Sequence, residues 1–335
     1  MAELTFTEIA PDDQAALATW YDLRSAANAV DLPGDPGLSL RAHNAMLRHP
    51  WPGEAPRAFL VHCDNQPVGW YRLGLSTTEN LDTAPTEIEV VPDVRGRGIG
   101  RAILDETIRQ ARELGRTRMV LEAVTDSPGA SLLASAGARA VLADTQRRLD
   151  LTAIDDAAYD AMLKDTREHS SGYALVQWVG DTPDAHVPAF GALQSRMTTD
   201  APFDDLAWEQ EVFDADRIRG RDAVKMARGM RTYSSAARHD ASGTLVGVST
   251  LVVYDGVDDA ANQWETIVLP EHRGHRLGML LKIENLRHLQ RHESVVTRID
   301  TWNADSNAPM LAVNVAMGFT PVRRWDEWEL TLQPG

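Results

Sequence analysis

Cysteine is nearly absent. Cys63 stands alone among 335 residues, so an internal disulfide is impossible, and no group of Cys or His has the spacing of a metal site. Dithiol chemistry and bound metal are therefore not expected, and Cys63 itself reads as a small core residue. Long apolar runs are missing too. Nothing approaches the roughly 20 uninterrupted apolar residues of a membrane span, and the opening MAELTFTEIAPDD has neither a basic start nor an apolar core. The expected location is cytoplasmic, with no membrane partner. Positive charge is scarce: 33 Lys and Arg face 49 Asp and Glu, a net charge of −16. Such a surface repels a phosphate backbone and argues against nucleic acid as a partner, while keeping the chain soluble and favouring cationic ligands.

What is present is enough apolar residue for more than one core. The 43% hydrophobic content and the length predict two domains, and the chain carries an internal repeat that supports them. Val246 and Gly247 follow Val68 and Gly69 by 178 positions, and the same spacing relates Glu265 to Glu87, Pro270 to Pro92, Arg273 to Arg95, Gly274 to Gly96 and Gly278 to Gly100. Further on, ASAGARAV around Gly137 is matched by VAMGFTPV around Gly318, at a spacing of 181. A repeat held in register over most of each half implies one architecture used twice. Between the halves, LTAIDDAAYDAMLKDTREHS has helical apolar spacing and predicts a connecting helix near 153–168. The expected division is a first domain over 1–150, a linker helix over 151–171 and a second domain over 172–335.

Within the first half, RAFLVHCD and PVGWYRLGLS read as a hairpin around Asp64-Asn65, and TEIEVVP as a strand ended by Pro92. A glycine-rich turn and an amphipathic helix follow, then the strand TRMVLEAV, a short helix and the closing stretch ARAVLADTQRRLDL. The second half repeats this order and ends on WDEWELTL. Strands and helices mixed in this way predict an α/β or α+β sheet covered on both faces.

The turn Val94-Arg95-Gly96-Arg97-Gly98-Ile99-Gly100-Arg101 lies between a strand and a helix, where unpaired N–H groups and the helix dipole favour an anion. Three glycines permit close approach of a diphosphate, and three arginines add charge. The spacing lacks the last glycine of a dinucleotide fold, which sets a nicotinamide enzyme aside. Arg95-x-x-Gly98-x-Gly100, preceded by EVVP, instead resembles the acetyl-coenzyme A signature of the GCN5-related N-acetyltransferase (GNAT) superfamily, and the likeness extends to both halves, as in tandem proteins of actinobacteria.

The resemblance implies two tandem GNAT folds, each a mixed, largely antiparallel sheet with helices on both faces. It further implies acetyl-CoA as cosubstrate and transfer of its acetyl group to a primary amine of a small molecule, by direct transfer in a ternary complex. By the same likeness Val90, Val91, Arg95, Gly96, Arg97, Gly98, Ile99, Gly100 and Arg101 would contact the cosubstrate in the first unit. Val268, Leu269, Arg273, Gly274, His275, Arg276, Leu277, Gly278, Met279 and Asn307 would do so in the second. There Arg276 stands in the place of Gly98, which puts one close backbone approach in question. The chain is expected as a monomer or homodimer.

An alkylammonium must lose its proton before it can attack a thioester. Glu87, Glu265 and Glu122 are the candidate bases; Glu265 leads because Trp264 beside it can wall an apolar site. The tyrosine that many family members place before Gly-Phe to protonate the leaving thiolate falls on Leu133 in the first unit and Asn314 in the second. Asn314 can still hydrogen-bond the sulfur or thioester, and Asn303 and Asn307 share its turn, with Asn307 also suited to capping a helix. These features favour the second unit as catalyst. Loss of both tyrosines leaves open a non-catalytic CoA-binding sensor. Trp325 and Trp328 read as packing or pocket wall, and His288 and His292 as a solvated helix face.

Overall fold

The turn residues Asp64 and Asn65 both take positive φ, 51° and 64°, the backbone of a tight two-residue hairpin turn. They join β2 (Arg57–Cys63) to β3 (Gln66–Leu73). Around this hairpin the computed structural model, which describes residues 3–200 and 204–333, builds its first unit. In chain order this unit contains β1 (Leu4–Glu8), α1 (Gln14–Asp31), α2 (Leu40–Arg48), β2, β3, β4 (Thr83–Val90), α3 (Ile99–Glu113), β5 (Arg118–Val124) and α4 (Pro128–Ser135). Leu17, Trp20 and Leu47 of α1 and α2 pack on one face of the sheet against Leu60 and Trp70. Ile103, Leu104 and Ala111 of α3 and Leu133 of α4 pack on the other.

The second unit uses the same plan. After β6 (Arg139–Asp150) come α5 (Asp156–His169), β7 (Tyr173–Val179), α6 (Val187–Asp200), α7 (Ala215–Ala227), β8 (Met230–His239), β9 (Leu245–Tyr254), β10 (Ala260–Val268), α8 (Leu277–His292), β11 (Arg298–Ala304), α9 (Ala308–Ala316) and β12 (Thr320–Thr331). Phe190, Leu193 and Ile218 of α6 and α7 cover one face. Tyr159 and Leu163 of α5 join Leu281, Ile283 and Leu289 of α8 on the other. Asp155 starts α5 by accepting from the N–H groups of Ala157 and Ala158.

The two closing strands are exchanged relative to the sequence expectation. The compact units comprise the residues up to Ala143 with those from Trp325 onward, and Asp144–Arg324. Trp325 to Thr331 pairs antiparallel with β5 of the first unit, whereas Asp144 to Asp150 pairs antiparallel with β11 of the second. Strand propensity marks a segment as extended but not which edge it will cover; that is decided by main-chain pairing far away in sequence. The strand order is β1-β2-β3-β4-β5-β12 in the first unit and β6-β11-β10-β9-β8-β7 in the second. Most neighbours are antiparallel. The parallel pairs are β4 with β5 and β10 with β11.

Those parallel pairs are short, and this positions the sites. β4 follows β5 only from Thr83 to Pro85, and β10 follows β11 only from Ala260 to Asn262. Beyond these points the strands diverge, leaving the distal halves of β4 and β10 paired only on their β3 and β9 sides. The repeated Val-Gly explains that second pairing. Gly69 lies opposite Val90 and Gly247 opposite Val268; a Cβ on Gly69 would sit 2.4 Å from the Glu89 carbonyl oxygen, and one on Gly247 2.9 Å from that of Ile267.

Candidate active site

In the first unit the divergence of β4 from β5 opens a cavity of about 580 Å³. Ile88, Glu89 and Val90 line one wall, Glu122, Ala123 and Val124 the other, with Leu132 of α4 and Trp325 completing it. The loop that follows β4 closes the end. Gly96 and Gly98 have φ of 73° and 84°, and Gly98 caps α3 in the left-handed conformation; with Ile99 and Gly100 they line the cavity, so the start of α3, where N–H groups have no partner within the helix, borders it. Arg95 is held by three groups: its Nε donates to the Val90 carbonyl at 2.8 Å, and its guanidinium pairs with Asp31 at 2.6 Å and Glu89 at 2.9 Å.

The second unit has a larger cavity, about 880 Å³, at the top of the size range of roughly 300–1,000 Å³ usual for cofactor pockets. Thr266, Ile267 and Val268 line the strand wall and Asn303, Ser306 and Asn307 the opposite one. The loop repeats the device of the first unit. Arg273 donates to the Val268 carbonyl at 3.2 Å and to Asp200, the last residue of α6, at 3.3 Å, as Arg95 does to Asp31 at the end of α1. Arg276 keeps the left-handed conformation of Gly98, with φ 55° and ψ 20°, and its side chain is drawn aside onto Asp165. The backbone cradle therefore survives the substitution, at a cost of about 1–2 kcal/mol for a residue bearing a Cβ. A Cβ on Gly100 would meet Leu132 at 3.3 Å, while one on Gly278 meets nothing within 4 Å. The second cradle is the more open.

Most of the predicted contact residues face these cavities: Val90, Arg95, Gly96, Gly98, Ile99, Gly100 and Arg101 in the first, and Val268, Arg273, Gly274, Arg276, Leu277, Gly278, Met279 and Asn307 in the second. Val91 packs under α1 and α2 instead, and Arg97 turns back to the Asp93 carbonyl. Leu269 sits between the second unit's two cores. The His275 ring lies against Tyr173, with centroids 5.2 Å apart.

The candidate acid–base residues separate. Asn303 lines the second cavity and accepts a hydrogen bond of 2.5 Å from Asn314 Nδ2. Asn314 is fully buried, and its Oδ1 has no hydrogen-bond partner, an omission that ordinarily costs about 1–3 kcal/mol. Asn307 caps α9 by accepting from the Met310 N–H. Glu265 faces α6, where Gln194 donates to it at 2.8 Å; Met197 and Asp200, one and two turns further along α6, line the cavity. In the first unit Glu122 is exposed on the cavity wall. Glu87 is bound by Arg72 and Arg24. Burial works to raise its pKa, but the two guanidiniums outweigh that and hold it at about 2, a weak base for a proton from an amine. Leu133 is an apolar core residue there.

Several residues on the cavity walls were not picked out in the sequence. Glu89 lies two residues beyond Glu87 on the same strand face, and burial, opposed by Arg95 and assisted by Asp31, lifts its pKa to about 7. The alternation of β4 could have indicated it. Met162, Asp165 and Thr166 of α5 line the second cavity, although the segment read only as a connector. His288 is buried, with Nε2 3.2 Å from the Trp178 carbonyl, so the solvated face expected for it belongs to His292 alone.

A sheet whose parallel pair splays beside a helix-terminal glycine loop, present twice in one chain, is the architecture of a tandem GCN5-related acetyltransferase. Residues 19–135 match the model of the acetyltransferase (GNAT) family. A tandem GNAT protein from the clavulanic acid biosynthesis pathway is 31% identical, with a TM-score of 0.84 over 99% of this chain and 100% of that one. The chain belongs to the GNAT family. A GCN5-related N-acetyltransferase from Sphaerobacter thermophilus shares the fold at 16% identity and a TM-score of 0.68, covering 99% of this chain and 96% of that one. So does an acetyltransferase from the GNAT family of Colwellia psychrerythraea, at 12% identity and 0.56, covering 98% and 100%. A comparison with curated proteins gave no match. No helix among the described residues is long and apolar enough to cross a membrane.

Proposed function

We propose that the second unit transfers an acetyl group from acetyl-CoA to a primary amine of a small molecule, within a ternary complex. The observation that carries this reading is Asn314: a buried amide with an orphaned oxygen, fixed to Asn303 on the cavity wall. Asn303, which Asn314 holds, lines the cavity, where its amide would meet the pantetheine arm or the thioester. The diphosphate would rest on the N–H groups that start α8, with Arg273 free to trade Asp200 for phosphate.

Glu265, steadied by Gln194, is the base of this reading. It takes a proton from the incoming ammonium, the freed amine attacks the thioester carbonyl, the C–N bond forms and the C–S bond breaks. The acylated nitrogen sheds its second proton to solvent as the CoA thiolate leaves, and the thiolate takes up a proton from solvent in turn. A cationic acceptor suits the carboxylates close by. Asp144 pairs in register with Ala304, next to cavity-lining Asn303, and burial together with Asp305 and Asp204 raises its pKa to about 6. In the first unit the engagement of Glu87 and the apolar Leu133 favour binding of the CoA carrier without turnover. The test is release of free CoA from acetyl-CoA against a panel of small amines. Release that depends on Glu265 and Asn314 supports the reading, and binding of CoA with no release under any amine leaves the sensor function in its place.

A further inference from the structure

The two glycine loops surround the same arginine with opposite charge. In the second unit Arg273 and Arg196 share Asp200, at 3.3 Å and 2.8 Å, so two guanidiniums meet one carboxylate. In the first unit the balance is reversed. Arg95 holds Asp31 through both terminal nitrogens, at 2.7 Å and 2.6 Å, and Glu89 at 2.9 Å. All three side chains belong to residues lining the cavity. The extra carboxylate traces to one position of the repeat: Ile267 follows Glu89 by 178 residues and packs in the apolar core with Phe190 and Leu193 of α6.

A diphosphate arriving at the first loop therefore meets one carboxylate in excess, in a mostly buried cluster where like charges repel strongly. The other charged groups around Glu89 are engaged or stand apart. Glu87 on the same strand is bound by Arg72 and Arg24 and influenced by His43 of α2. Arg97 turns to the Asp93 carbonyl, Arg101 of α3 pairs with Asp105, and Glu122 of β5 stands on the opposite wall. Trp70, the cross-strand neighbour of Glu89 on β3, carries no charge. Burial, opposed by Arg95 and assisted by Asp31, already brings the Glu89 carboxyl to about 7. Once protonated, Glu89 ceases to repel phosphate, loosens its hold on Arg95 and can donate to a phosphate oxygen.

We infer that the first unit takes up its diphosphate ligand together with a proton from solvent on Glu89, so that its occupancy falls as pH rises above neutrality while that of the second unit holds. This inference rests on the reading that the first unit binds the CoA carrier. The experiment is calorimetric titration of the full chain with CoA, at about pH 6 and about pH 8, in two buffers of different ionisation enthalpy. Glu89→Gln keeps the shape of the protonated side chain and cannot titrate; Glu113→Gln on the solvent side of α3 is the control. At about pH 8 the wild type is expected to take up close to one proton more per chain than Glu89→Gln, and to bind roughly tenfold more weakly at one class of site. At about pH 6 the two should bind alike. Glu113→Gln should follow the wild type at both.

Equal proton uptake in wild type and Glu89→Gln overturns the inference, as does an affinity difference of the same size at both pH values, which marks a structural effect. A wild type that binds one CoA, undisturbed by Arg95→Ala, also overturns it but leaves the reading of the second unit in place. A wild type that binds none overturns both. The wild type alone gives a second readout free of substitutions. One of its two classes of site should weaken roughly tenfold between about pH 7 and 8.5, and two classes with the same pH profile overturn the inference.

Discussion

The two units share a chain plan and differ at three matched positions that divide their chemistry. Gly98 becomes Arg276, Leu133 becomes Asn314, and Leu104, buried in α3, becomes Lys282 in α8. The first unit keeps the unstrained loop and an apolar core. The second accepts a left-handed arginine, an orphaned amide oxygen and a lysine 2% exposed whose Nζ stands 4.9 Å from the Phe319 ring. Each departure costs stability in isolation. Arg276 lines the larger cavity, Asn314 is bonded to Asn303 on its wall, and Lys282 lies in the core against Phe319.

Returning the second unit to the residues of the first should break this contrast stepwise. Asn314→Leu is expected to have the largest effect, lowering kcat for acetyl transfer by about two to three orders of magnitude while leaving CoA binding near wild type. CoA release and calorimetry together check it. Lys282→Leu comes next. Burial lowers the lysine pKa from 10.5 to about 7, so between these values the unfolded chain holds a proton that the folded chain gives up. Wild-type stability therefore falls as pH drops from about 10.5 toward 7. The variant should lack that slope and gain roughly 2–4 kcal/mol at neutral pH, read from denaturant unfolding at several pH values.

Smaller effects sharpen the comparison further. Gly247→Ala pushes a Cβ against the Ile267 carbonyl and Gly69→Ala against that of Glu89. Both should destabilise by about 1–3 kcal/mol, but only Gly247→Ala should also lower kcat/KM, because only it bends the strand of the unit proposed to turn over. Arg276→Gly is expected to be the mildest, raising stability by up to about 1 kcal/mol as left-handed strain is relieved and an exposed ion pair is lost. Thermal unfolding would record it.

Much of this architecture is legible in the sequence alone. The Val-Gly repeat, the glycine loop and the alternation of TEIEVVP are local signals, because steric tolerance at a left-handed residue and the period of a strand are properties of the adjacent chain. Fifteen of the nineteen residues expected to contact the cosubstrate face a cavity. The unread part is of a different kind. Glu87 and Glu89 look equivalent in sequence, yet Arg72 and Arg24 reach one, while burial beside Asp31 dominates the other. Nothing local to β4 distinguishes them.

The sequence by itself determined the repeat, the elements within each unit and the two loops that lead into α3 and α8. Tertiary structure decided which closing strand completes which sheet, which face of α5 meets the cavity and which carboxylates remain available to take a proton. These depend on main-chain pairing, charge proximity and desolvation among residues often more than 100 positions apart, and such interactions act through space rather than along the chain.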